Sequence, residues 1–167
     1  ARLAAGERLE LQVDISSSRF PTEAPLVSAV LPGELPGEVL LTAHLCHPRP
    51  GANDNGSGVA AVLEAARVLA ALELRGSLRT PRRTVRFLWM PEFTGTYACL
   101  ASDPGRGART VAALNLDMVG ESQSDCGSAQ LLELAPHFAG SFADELVARI
   151  RQASQDWIGG FSGPGHY

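Results

Sequence analysis

Charge is scarce in this sequence: Asp, Glu, Lys and Arg make up 19% of its residues, and 14 basic against 18 acidic groups leave a net charge of −4. Such a balance offers no electrostatic footprint for nucleic acid or an anionic membrane, so neither is expected as a partner. Long apolar runs are missing too. No stretch approaches the roughly 18 residues of a spanning helix, and the segment from Ala1 to Glu10 carries charges where a secretion signal needs an apolar core. The expectation is a soluble, cytoplasmic chain. Cysteine is limited to Cys46, Cys99 and Cys126, odd in number and irregularly spaced, which excludes a disulfide framework and a CxxC metal knuckle. Internal repeats and low-complexity tails are also absent.

What remains is enough for a core. With 167 residues, 17.6 kDa and 45% hydrophobic residues, the chain reads as one domain over residues 1–167. Helical and strand periods alternate along it, the pattern of an α/β fold with a mostly parallel central sheet flanked by helices. Arg8 to Ile15 alternates polar and apolar with period two, which predicts a strand with one wet face near a sheet edge. Leu26–Leu31 predicts the next strand, and Val39–Ala43, apolar almost throughout, predicts a strand buried on both faces. Thr84–Met90 and Thr110–Asp117 read as two more, and Ala129–Leu134 as a short one. Helices are predicted over Val59–Leu74, ended by Gly76, and over Phe142–Ala153 with Ser141 as N-cap. Gly159 to Tyr167 has the composition of a loop.

Three of the predicted central strands end in groups that bind cations: His44, Glu92 and Asp117. Each alone reads as a turn former or cap. In open α/β sheets, however, sites form beyond the carboxyl ends of the strands, where residues distant in sequence converge. Asp54, in the Gly51–Gly58 loop before the long helix, belongs to the same end. Phe87 and Trp89 lie on a buried strand and read as core.

Four ordered blocks between Val39 and Gly120 carry a family resemblance: Ala43-His44-Leu45-Cys46, Gly51-Ala52-Asn53-Asp54-Asn55-Gly56-Ser57-Gly58, Pro91-Glu92-Phe93-Thr94-Gly95 and Leu114-Asn115-Leu116-Asp117-Met118-Val119-Gly120. They resemble the motifs of the co-catalytic zinc aminopeptidases related to glutaminyl cyclase. The likeness is greatest to an aminopeptidase-like branch with H-x-C-H-P, A-N-D-N-x-S-G and P-E-x-x-G. The resemblance implies a fold of the zinc-exopeptidase (phosphorylase/hydrolase-like) type and hydrolysis of N-terminal residues from peptides, with a zinc-activated water as nucleophile. It implies His44 as the first zinc ligand, Asp54 as a carboxylate bridging two ions, and Asp117 as the partner of His44 on one of them. Asn53 and Asn55 are expected to orient the bridging carboxylate.

Two departures bear on the second metal. Where the family has adjacent glutamates, one a general base and one a ligand, this chain has Glu92 followed by Phe93. With Gly95 aligned, Glu92 takes the general-base place and the ligand is missing; shifted by one, Glu92 is the ligand and the base lies elsewhere. The first alignment is preferred. Cys46 stands where the family has an aspartate that orients the first histidine, and its thiol is either a poorer orienter or a zinc ligand itself. His47 is a substitute ligand in the H-x-C-H-P run or, as preferred with Pro48 following it, fixes the loop. The late loop Phe161-Ser162-Gly163-Pro164-Gly165-His166-Tyr167 resembles a worn form of the family's G-G-S-D-H run, which makes His166 the candidate ligand of the other ion. Family domains generally continue past that loop, so residues 1–167 are expected to be a single catalytic domain that is truncated or lacks loop residues there. One zinc is expected to bind firmly and a second weakly. The runner-up readings are a catalytically silent metal-binding or interaction domain on the same fold, and a single-zinc aminoacyl transferase or cyclase.

Overall fold

Alternating and then continuous apolar residues between Val27 and Ala43 build the first two strands, β1 (Val27–Leu31) and β2 (Leu35–His44). The computed structural model describes residues 4, 6, 8–23, 25–127 and 131–154. Two further strands, β3 (Arg83–Met90) and β4 (Thr110–Asn115), complete a sheet of order β1-β3-β2-β4. β2 runs parallel to both β3 and β4, while β1 is an antiparallel edge on β3. The sheet is therefore mostly parallel and flanked by helices, as the alternation of periods predicts.

Helix α1 (Gly58–Leu74) covers one face of the sheet. There Val62 packs with Leu31, Ala43, Phe87 and Trp89, and the Trp89 Nε1–H donates to the Val59 carbonyl at 3.2 Å. The opposite face buries Leu40, Leu88 and Met90 with Cys99 of α2 (Thr94–Ser102). β3 thus sends Phe87 and Trp89 one way and Leu88 and Met90 the other, which explains its unbroken apolar run. Full burial of each such side chain contributes about 1.5–3 kcal/mol. The short helix α3 (Arg106–Arg109) leads into β4, α4 (Gln123–Cys126) follows it, and α5 (Phe142–Ser154) closes the described chain. Ser141 caps α5, its Oγ accepting from Ala143 N at 3.1 Å. Among the described residues no helix is long and apolar enough to cross a membrane.

Three expectations are corrected. Arg8–Ile15 forms no strand, and Leu11, Val13 and Ile15 are exposed. Alternation creates an apolar face, but a strand also needs a neighbour for its N–H and C=O groups, and none of the four strands of the sheet pairs with this segment. In the stretch expected as a strand at Ala129–Leu134, residues 131–134 are irregular; positions 129 and 130 lie outside the described residues. β4 ends at Asn115 rather than Asp117: its last partner on β2 is Thr42, and of the next two residues Leu116 alone extends the ladder, through its N–H to Thr42 O. The loop from Gly159 to Tyr167, including His166, lies outside the described residues.

Candidate metal centre

Parallel pairing brings the carboxyl ends of β2, β3 and β4 level: His44 stands opposite Met90, and Thr42 opposite Asn115. The ladder continues one residue further on each side, Leu45 N donating to Met90 O at 3.0 Å and Leu116 N to Thr42 O at 2.9 Å. Glu92 and Asp117 therefore leave their strands beside His44, in the crevice where open α/β sheets place their sites. One ligand atom each from His44, Glu92 and Asp117 lies within 4.8 Å of the others.

The His44 ring is buried, with only 7% of its side chain exposed. Its Nδ1 lies 2.8 Å from the Cys46 carbonyl oxygen, and an oxygen that only accepts makes Nδ1 the protonated nitrogen. Nε2 lies 3.2 Å from Asp54 Oδ1 and 3.5 Å from Asp117 Oδ1. Either a proton on Nε2 or a cation among the three groups makes these contacts favourable. Ligands placed 2.0–2.2 Å from a tetrahedral zinc are about 3.4 Å from one another, and neutral imidazole with carboxylate oxygens is a zinc-type donor set. The donor types fit the ion, and the three residues whose ligand atoms all lie within 4.8 Å of one another are His44, Glu92 and Asp117.

Asp54 is carried on the tight segment Ala52–Ser57 between β2 and α1. The asparagines beside it bind the segment that bears Asp117 rather than Asp54 itself. Asn55, 4% exposed, accepts at Oδ1 from Gly58 N and Met118 N and donates to Leu116 O at 3.0 Å. Asn53 accepts from Gly120 N at 3.1 Å and donates to Glu121 Oε2 at 3.0 Å. Gly58 is required where the two segments meet, since a Cβ there would run into the Leu116 carbonyl oxygen and the Asn55 side chain.

Glu92 is held by different means. Its backbone N–H donates to Cys46 Sγ at 3.0 Å, and its carbonyl accepts from Thr94 N. Phe93 between them has φ 46° and ψ −63°, close to the γ-turn of the rare, strained hand. The second positive-φ residue that is not glycine, Met118 at φ 50°, follows Asp117. Both carboxylates thus precede a residue in the left-handed half of conformational space, which is costly for side chains other than glycine. Cys46 acts through its carbonyl on His44 and through its sulfur on the Glu92 backbone. His47, for which shaping the loop is the expectation preferred over ligation, has its Nε2 3.2 Å from Asp54 Oδ2. The H-x-x-H spacing was the one sequence signal for it. A pocket of about 430 Å³ opens here, with His44, His47, Asp54, Pro48 and Val59 among its lining residues.

The family model described as Peptidase family M28 matches residues 27–157, a span that contains all four strands and every crevice residue named above. The chain belongs to peptidase family M28. A relative of this M28 chain in Clostridium acetobutylicum, described as "Putative polysaccharide biosynthesis protein with aminopeptidase-like domain", is 34% identical over 90 residues, which is 54% of this chain and 19% of the relative. A crystal structure titled as a "putative peptidase" from the same organism superposes with a TM-score of 0.51 at 31% identity, covering 58% of this chain and 21% of that one. The M28 chain therefore spans about a fifth of the length of either relative. Among its described residues, no arginine forms an ion pair with Asp54, Glu92 or Asp117.

Proposed function

We propose that this M28 domain is a zinc-dependent aminopeptidase that removes N-terminal residues from peptides, with His44, Asp54 and Asp117 as zinc ligands and Glu92 as general base. The observation that carries the reading is His44 Nε2 at 3.2 Å and 3.5 Å from carboxylate oxygens of Asp54 and Asp117, with Glu92 in the same crevice. Zinc bound there supplies Lewis acidity, polarising the scissile carbonyl and acidifying water. His44 and Asp117 hold the ion, and Asp54 approaches it from the loop. Glu92, exposed at the mouth of the crevice, takes the proton of the attacking water and passes it to the departing amine. The excess of carboxylates over cations attracts a protonated α-amine and disfavours a terminal carboxylate, which supports action at the amino end.

The test is zinc-loaded protein assayed against a panel of aminoacyl anilides and their N-acetylated counterparts. Release is expected only from free-amine substrates, and Glu92→Gln is expected to keep its zinc while losing about 10²–10⁴-fold in rate. Loss of a zinc equivalent in Glu92→Gln makes Glu92 a ligand. Firm zinc binding with no anilide cleaved favours the silent metal-holding domain, in which Phe93 occupies the place of a needed carboxylate.

A further inference from the structure

We propose that Cys46 is a positioning residue for Glu92, its sulfur directing the backbone of the general base while its carbonyl holds the His44 ring. The inference rests on the reading of Glu92 as general base and adds a residue that this reading does not contain. The last backbone bond between the ends of β2 and β3 runs from Leu45 N to Met90 O at 3.0 Å. In a regular parallel ladder the next donor, Glu92 N, would reach the Leu45 carbonyl. It meets Cys46 Sγ instead, at 3.0 Å. A side chain thus takes over where the backbone ladder stops, and it does so at the residue that carries the carboxylate.

The far side of Glu92 is held as well, its carbonyl accepting from Thr94 N and, at 3.2 Å, from Thr94 Oγ1. Phe93 between them keeps φ 46°, a conformation that persists only where the surroundings over-determine it, and the bond to sulfur is one such constraint. On its other side Cys46 accepts from His44 Nδ1 at 2.8 Å through its backbone carbonyl. One residue therefore links the imidazole to the chain bearing the carboxylate, and ligand atoms of His44 and Glu92 lie within 4.8 Å of each other. The sulfur is not among the gathered ligand atoms, which come from His44, Glu92 and Asp117. Cys46 and Glu92 are both exposed, so water satisfies the Glu92 N–H once the sulfur is removed. What is lost is direction rather than stability, and a displacement of about 1 Å at a reacting group costs on the order of 100-fold in rate.

The experiment compares Cys46→Val and Cys46→Ala, which lack an acceptor, with Cys46→Ser, which keeps one. In zinc-loaded protein acting on aminoacyl anilides, the first two are expected to lose about 10–100-fold in kcat. KM, zinc affinity and melting temperature should stay near wild type, because the His44 ring is held by a backbone carbonyl that every variant retains. Cys46→Ser should recover most of the rate. Added to Glu92→Gln, Cys46→Val should cost nothing more, since the two residues act as a unit. Amide hydrogen exchange at Glu92, followed by NMR, reads the tie without activity: slow in wild type and Cys46→Ser, fast in Cys46→Val and Cys46→Ala. A wild-type rate or unchanged exchange in the acceptor-free variants overturns the role of Cys46, as does a loss that Cys46→Ser shares in full or that persists beside Glu92→Gln. Failure of the underlying reading looks different. Glu92→Gln then keeps its rate or loses zinc, or the wild-type chain cleaves no anilide and exchange at Glu92 alone decides the tie.

Discussion

At the amino ends of the parallel strands Glu38, only 3% exposed, is surrounded by Arg86 at 2.7 Å, Arg106 at 3.2 Å and Arg109 at 3.3 Å. At the carboxyl ends of the same strands, Asp54, Glu92 and Asp117 face two histidines. The first end pairs its charges within the chain, and Asp103 extends the network through Arg106 and Arg109. The second leaves carboxylates to be matched from outside. One end therefore contributes to stability, and the other gathers histidines and carboxylates in an arrangement suited to a bound cation.

The comparison breaks most sharply if the two ends are exchanged as targets. On the proposed zinc reading, Asp117→Asn takes the negative charge from a ligand and is expected to weaken zinc binding by more than the 10–100-fold usual for an outer partner. It also removes a like charge, so the metal-free protein should melt no lower than wild type. Glu38→Gln should do the reverse. Leaving buried guanidinium groups without their counter-charge costs about 3 kcal/mol, part of the penalty being relieved by the partial exposure of the arginines. Zinc affinity should stay at the wild-type value. A competitive titration against a chromophoric chelator, with thermal melts of both variants, tests the pair; a Glu38→Gln protein that loses zinc before it loses stability would dissolve the distinction.

Asn55→Ala tests the join between loop and sheet. It deletes three hydrogen bonds to Leu116, Met118 and Gly58 and leaves buried backbone groups unmatched, an effect of about 1–3 kcal/mol on stability. Because those bonds hold the Asp54 loop against the segment bearing Asp117, zinc affinity should fall as well, by about 10–100-fold. Stability lost with zinc affinity unchanged would mean that the loop keeps Asp54 in place by other means.

The layered sheet is legible in the sequence because a strand buried on both faces must be apolar throughout, and Val39–Ala43 and Thr84–Met90 are nearly so. His44, Glu92 and Asp117 are legible as strand-end groups for the same reason. Arg8–Ile15 misleads because periodicity records a face that asks for cover, not the strand that provides hydrogen bonds. α5 shows the same limit, since Phe142, Leu146 and Ile150 fall on one helical face and all remain exposed. The orientation of His47 and the part played by the Cys46 carbonyl are illegible, because both depend on backbone groups whose direction no side-chain pattern encodes. Asn53 and Asn55 were expected to orient Asp54 and instead bind its neighbouring segment, a difference of a few ångströms that spacing does not resolve.

The smallest expected effect belongs to the stabilising end and concerns acid. The hydrogen bond from Arg109, with the nearby charges of Arg109 and Arg106, holds the Asp103 carboxyl below its ordinary value of 3.8. A carboxyl lowered on folding contributes stability that is complete above its unfolded pKa and is lost as pH falls through the folded one. The contribution is therefore present at neutral pH and fades below about pH 4. Asp103→Asn lacks that carboxyl, so its melting temperature should lie slightly below wild type at pH 7, and the gap should close as the pH is lowered past 4. High salt should narrow the gap at pH 7, because a pair this exposed is screened. Thermal melts across pH 3–7 at two salt concentrations decide the matter: a gap that persists unchanged at pH 3 would show that Asp103 acts by packing rather than by charge.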